Sequence, residues 1–106
     1  MTTMTVFRSR LHAGVEEPYQ ALAKEMSAIA RELPGFIEEK SYVAEDGERV
    51  TIVLFADQTT HDAWRTHPRH QVAQNIGREK LYSEYRVYTA EVNYTKSFTV
   101  DVVSSK

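Results

Sequence analysis

The order of periodic segments predicts an α+β fold of the ferredoxin-like βαββαβ kind, with both helices on one face of a four-stranded antiparallel sheet. Residues 4–11 and 85–94 alternate in the manner of strands. An amphipathic stripe runs through residues 19–33, and a strand–turn–strand signal centres on Asp46-Gly47. A second helical stretch stands between that hairpin and the last strand.

In the first strand, Thr5, Phe7, Ser9 and Leu11 fall on one side and Val6, Arg8 and Arg10 on the other. Gly14 ends it. Glu16 and Glu17 then suit the positive end of a helix dipole, and Pro18 is tolerated in a first turn. Tyr19, Leu22, Met26, Ile29 and Leu33 recur at spacings of three and four, so they share one face and read as core. Pro34-Gly35 stops the helix. Residues 36–44 and 49–55 form a hairpin, because a tight Asp-Gly turn supplies the positive φ that the connection needs. In its second strand Val50, Ile52 and Leu54 oppose Val53 and Phe55, which predicts cover on both faces. Asp57 caps a short helix ending near Arg65, and Pro68 begins another reaching about Leu81. Beyond the last strand, Phe98, Val100 and Val102 alternate weakly, as a short extra strand or an arm laid on a partner.

The 106 residues suit one domain, with a core over about 4–93 and a tail over 94–106. Apolar residues make up 42% and charged residues 26%, an ordinary globular balance. A net charge of -2 gives no electrostatic footprint for nucleic acid or an anionic membrane. With no cysteine, disulfides, thiolate metal sites and a cysteine nucleophile are excluded. No apolar run approaches a bilayer span, and the start of the chain lacks a basic and apolar leader, so a cytoplasmic location is expected.

Helices on one side leave the other sheet face bare. The third strand makes that face apolar, and Phe7 and several tyrosines of the last strand are expected to add to it. Large apolar patches are uncommon on soluble monomers. Burial stabilises by about 25 cal/mol per Å². Two copies packed sheet to sheet about a two-fold axis are therefore expected, each keeping a small pocket between helices and sheet.

Four stretches resemble the antibiotic biosynthesis monooxygenase domain family: Leu33-Pro34-Gly35-Phe36-Ile37, the hairpin from Asp46 to Val50, the run from Trp64 to His70, and the run from Gly77 to Arg86. The likeness covers roughly residues 4–93. It implies a dimeric α+β barrel and oxygenation of phenols or quinones with no cofactor, neither metal, flavin nor haem. In such chemistry the substrate supplies the electrons, and the protein binds an aromatic body, favours its deprotonated form and excludes water. The resemblance assigns these tasks to an indole, tyrosines and an arginine, here Trp64, Tyr82 or Tyr85, and Arg86. A branch of the same superfamily degrades haem with an asparagine on the first strand and a histidine ten residues after the tryptophan. Ser9 and Gln74 stand at those positions here, which removes the iron ligand.

The expected catalytic set is thus Trp64, Arg86, Tyr85 and His70, with Tyr82, His67, Phe7 and Ser9 binding substrate. Each also has a plainer reading. Trp64 can be simple core. His61, His67 and His70 cluster with Arg65 and Arg69, either to supply a base that takes a phenolic proton near neutral pH or as a solvated helix junction with His67 as a cap or packing residue. A metal is not expected, since Pro68 separates His67 from His70 and no third ligand is evident. Tyr82, Tyr85 and Tyr88 can be sheet packing, and Arg78 and Arg86 can either stabilise a phenolate by a fixed charge or pair with Glu79 or Glu84 at the surface. Arg8 and Arg10 share a face that can line the barrel's open side or pair across a dimer. Two functions follow: a cofactor-independent oxygenase of a small aromatic metabolite, or a non-catalytic dimeric binding module. Haem binding is a weaker third.

Overall fold

The computed structural model describes residues 1–100. Its elements are β1 (Thr3–Leu11), α1 (Glu16–Glu32), β2 (Phe36–Val43), β3 (Arg49–Phe55), α2 (Gln58–Arg65), α3 (Pro68–Ile76) and β4 (Tyr82–Glu91). All strand pairs are antiparallel, in the order β2-β3-β1-β4. This is the ferredoxin-like α+β fold.

Local chemistry sets the boundaries. Asp57 accepts a hydrogen bond from the Thr60 amide at 2.9 Å, and Thr60 Oγ1 returns toward the Asp57 amide, a capping box that starts α2. Pro68 opens α3, and the His67 ring accepts from the Arg69 amide at 3.1 Å. Gly47 adopts φ 89°, as the hairpin turn requires. The expected helix to Leu81 ends early. Residues Gly77–Leu81 widen into a π-type turn, and β4 begins at Tyr82, three residues before the alternation became readable. Tyr82 pairs with Leu11 across a register shift that the sequence pattern does not announce.

Register assigns every strand residue to a face. Thr5 pairs with Val53 and Thr89, Phe7 with Thr51 and Val87, and Ser9 with Arg49 and Tyr85; these face the helices. Met4, Val6, Arg8, Val50, Ile52, Leu54, Arg86 and Tyr88 face the other way, where no helix lies. The open face is apolar at its centre, as expected, but its composition differs. Phe7 and Tyr85 are on the helix side, because the period of two places them with Thr5 and Thr89, and the register shift between Arg10 and Leu11 brings Tyr82 to the same side. Tyr88 alone of the three β4 tyrosines faces outward, and it is half exposed. Arg8 and Arg10 pair within the chain, with Glu48 and Asp46, at the hairpin end.

The core is small and draws on β3, α1, α3 and the turn before β4. Phe55, Val53, Leu81, Ala30 and Ala73 are its buried apolar members. Residues 92–100 form neither helix nor strand, with Tyr94, Phe98 and Val100 exposed. Val102, the last residue of the alternating pattern in the tail, lies outside the described residues.

Candidate functional site

The helices stand off the inner face of the sheet and border a cavity of about 510 Å³ that is open on the β4 side, where Tyr85 and Val87 are exposed. Its position follows from side-chain size along two elements. The inner row of β1 carries small or polar residues, Thr5 and Ser9, beside Phe7, and α1 crosses above them rather than collapsing onto them. Tyr19, Leu22 and Met26, expected as plain core, therefore wall the cavity with one side uncovered.

The aromatic wall is continuous. Phe7 meets Tyr82 edge to face at 5.3 Å between centroids and Tyr85 at 5.6 Å. Tyr82 also meets Tyr19 at 6.2 Å. Opposite them, Trp64 stacks on Phe55 at 5.5 Å and contacts His70 at 4.6 Å. The capping box of α2 fixes this indole: with Asp57 at the cap, His61 and Trp64 fall three apart and turn the same face to β3. Gly77 adds a second constraint. A Cβ there would lie 2.5 Å from Tyr82 Cε2, so glycine is what lets that ring lie against the turn.

Charge enters the cavity from the helices. Lys24, Arg65 and Arg78 line it, with Glu39 the carboxylate on the wall. Burial raises the Tyr82 hydroxyl pKa well above its ordinary value, and raises that of Tyr19 despite the Arg49 guanidinium 5.1 Å over its ring. Both hydroxyls are thus proton-bearing donors. Burial lowers His70, which stays neutral near neutral pH. The Arg65 carbonyl lies 3.2 Å from His70 Nδ1 and can only accept, so with the Gln74 amide, 3.4 Å away, turned to present its oxygen, Nδ1 carries the proton and Nε2 keeps a lone pair.

A polar seam runs beneath the wall. His61 is 1% exposed, with Nε2 2.6 Å from Thr5 Oγ1 and Nδ1 3.1 Å from Asp62 Oδ1. Thr5 Oγ1 lies 2.8 Å from Thr89 Oγ1, and both threonines line the cavity.

The family model described as Antibiotic biosynthesis monooxygenase matches residues 2–76. The chain belongs to this family. It is 31% identical over 80 residues to the uncharacterized protein YqjZ of Bacillus subtilis (strain 168), an alignment spanning 76% of this chain and 70% of that one. Its fold superposes on Rv0793 from Mycobacterium tuberculosis with a TM-score of 0.81 at 18% identity, covering 92% of this chain and 100% of that one. It also superposes on SnoaB, a cofactor-independent oxygenase from Streptomyces nogalater, with a TM-score of 0.76 at 16% identity, covering 89% and 95%.

In this monooxygenase-family chain, Trp64, Tyr82, Tyr85, His70 and Phe7 converge on the cavity. Arg86, Ser9 and His67 do not line it. Arg86 lies on the open face beside Arg8, because alternation turns it away from Tyr85 and Val87. Ser9 is buried on the inner face, and His67 caps α3. Gln74, at the position of the haem branch's histidine, lines the cavity. Sequence reasoning missed Thr5 and Thr89 as wall residues, and left Arg78 and His61 open between a role at the site and a place on a solvated surface. The phase set by Asp57 was the available signal for His61. Among the described residues no group of three His, Asp or Glu side chains is placed to hold a metal ion, and no helix is long and apolar enough to cross a membrane.

Proposed function

We propose that this protein is a cofactor-independent monooxygenase acting on a small phenolic or quinone-like aromatic. The carrying observation is the cavity of about 510 Å³, walled by an indole and four other aromatic rings with cations at its helix side. That volume is within the usual range for a small-molecule site, about 300–1,000 Å³. Trp64 and the rings of Phe7, Tyr19, Tyr82 and Tyr85 give a planar ligand faces and edges to pack on. Arg78, rather than Arg86, supplies the fixed positive charge that favours a phenolate. The Tyr82 hydroxyl, held protonated by burial, donates a hydrogen bond to that oxygen. His70 Nε2 accepts one from a substrate hydroxyl.

The bound anion gives electrons directly to O2. A methylene conjugated with the phenolate becomes a carbonyl, taking one oxygen atom, and the other leaves as water. The open apolar sheet face supports a homodimer packed sheet to sheet, and the protein works in the cytoplasm.

The test is oxygen uptake with a panel of polycyclic phenols that carry a methylene conjugated with the hydroxyl. Uptake is expected and falls in Trp64→Phe and in Arg78→Ala. Consumption no greater than in buffer across the panel removes the oxygenase reading; aromatic binding without uptake leaves a binding module.

A further inference from the structure

We propose that Thr89, Thr5 and His61 form a proton relay that takes the proton of a phenolic hydroxyl held in the cavity and passes it toward Asp62 at the surface. The inference rests on the aromatic-binding reading above and names the group that receives the proton.

Hydrogen-bond polarity carries the case. A carboxylate only accepts, so the 3.1 Å contact between Asp62 Oδ1 and His61 Nδ1 places the imidazole proton on Nδ1. Nε2 then holds a lone pair and accepts from Thr5 Oγ1 at 2.6 Å. Thr5, having given its proton to that bond, accepts from Thr89 at 2.8 Å. Each hydroxyl now points the same way, and Thr89 keeps free lone pairs at the cavity wall. A substrate hydroxyl donating to Thr89 completes the row. All three distances fall within the reach for proton transfer, about 2.6–3.2 Å.

The step balances. The phenolic O–H bond breaks as an O–H bond forms at Thr89. The proton of Thr89 passes to Thr5, and that of Thr5 to His61 Nε2. The result is a phenolate facing the cavity cations and an imidazolium facing Asp62, with both hydroxyls reversed and now donating toward the phenolate. Asp62, 41% exposed and 3.7 Å from Arg65 Nε, is the contact with solvent. Packing alone does not call for this arrangement. Valine fills the volume of a strand threonine, and burying a histidine and a threonine without need costs desolvation. Of the histidines on α2 and α3, His61 is the one fully buried, and it is the one joined to hydroxyls on the cavity wall.

The probe is p-nitrophenol, whose protonated and ionised forms differ in absorption. Bound to the wild-type protein it is expected to be enriched in the phenolate. Thr89→Val, on the edge strand, removes the entry hydroxyl and should lower the bound phenolate-to-phenol ratio about tenfold, one pKa unit. Thr89→Ser restores it, and Thr5→Val repeats the loss. A merely structural role for the seam leaves that ratio untouched. Nitrogen NMR of wild-type His61 should report the Nδ1–H form. An unchanged ratio in Thr89→Val, or an Nε2–H form of His61, overturns the relay while leaving the cavity's occupant intact. A wild-type protein that takes up no p-nitrophenol overturns the aromatic reading and removes the relay's substrate with it.

Discussion

Replacing Gly77 by alanine sets two opposing effects against each other. Gly77 has helical dihedrals, φ −58° and ψ −49°, so a side chain meets no backbone strain there. Helix propensity alone favours alanine by about 1 kcal/mol. The new Cβ, however, would lie 2.5 Å from Tyr82 Cε2 and 2.9 Å from Cδ2. Carbon atoms rest at about 3.5–4.0 Å, so the ring must retreat by roughly 1 Å. It is not a free side-chain end: Phe7, Tyr85 and Tyr19 surround it at 5.3, 5.8 and 6.2 Å. Overpacking of this kind costs about 1–3 kcal/mol. The expected net is a loss of about 1 kcal/mol, read as a lower denaturant midpoint at unchanged m-value. In a Tyr82→Leu background the same substitution should become neutral or stabilising. A Gly77→Ala protein more stable than the wild type would refute the steric reasoning and leave propensity as the only effect.

Thr3 Oγ1 is buried without a hydrogen-bond partner, so Thr3→Val should raise stability by about 1 kcal/mol in chemical denaturation, and a loss would mean that the hydroxyl is satisfied. Asp57→Ala removes the capping box and should cost about 1 kcal/mol; because the cap sets the phase of Trp64, quenching of tryptophan fluorescence by a bound phenol should weaken with it. His70 is held below its ordinary pKa of 6.5 by burial. Between the lowered value and 6.5 the unfolded chain therefore binds the proton and the folded chain does not. That contribution to stability is complete above pH 6.5 and is lost as pH falls through the lowered value, so denaturation midpoints should drop on acidification less steeply in His70→Gln.

Much of the fold was legible because local chemistry marks its ends. Pro34-Gly35, Asp46-Gly47, Asp57 and Pro68 each act within a few residues, and the elements beside them begin or end within a residue or two of expectation. The start of β4 was not legible. Leu81 and Tyr82 continue an apolar helical pattern, and only pairing with Leu11 decides that Tyr82 is extended. Alternation likewise groups Thr5 with Phe7 and Arg86 with Tyr88 without saying which group meets the helices. Phe7 was for that reason expected on the open face and Arg86 on the inner one. At the site, aromatic residues were found through family resemblance. The seam was not, because Thr5 and Thr89 are ordinary strand residues until the sheet brings them together across 84 positions.

Along β4, odd positions from Tyr85 to Thr89 meet the cavity, while Glu84, Arg86 and Tyr88 look outward. Chain neighbours therefore answer to different selective pressures. A point change at Val87 can retune what the chamber admits without disturbing whatever meets the outer surface, and a change at Tyr88 can do the reverse. Loss or gain of one residue in this strand exchanges both roles at once, so β4 should tolerate substitution far better than a shift of frame.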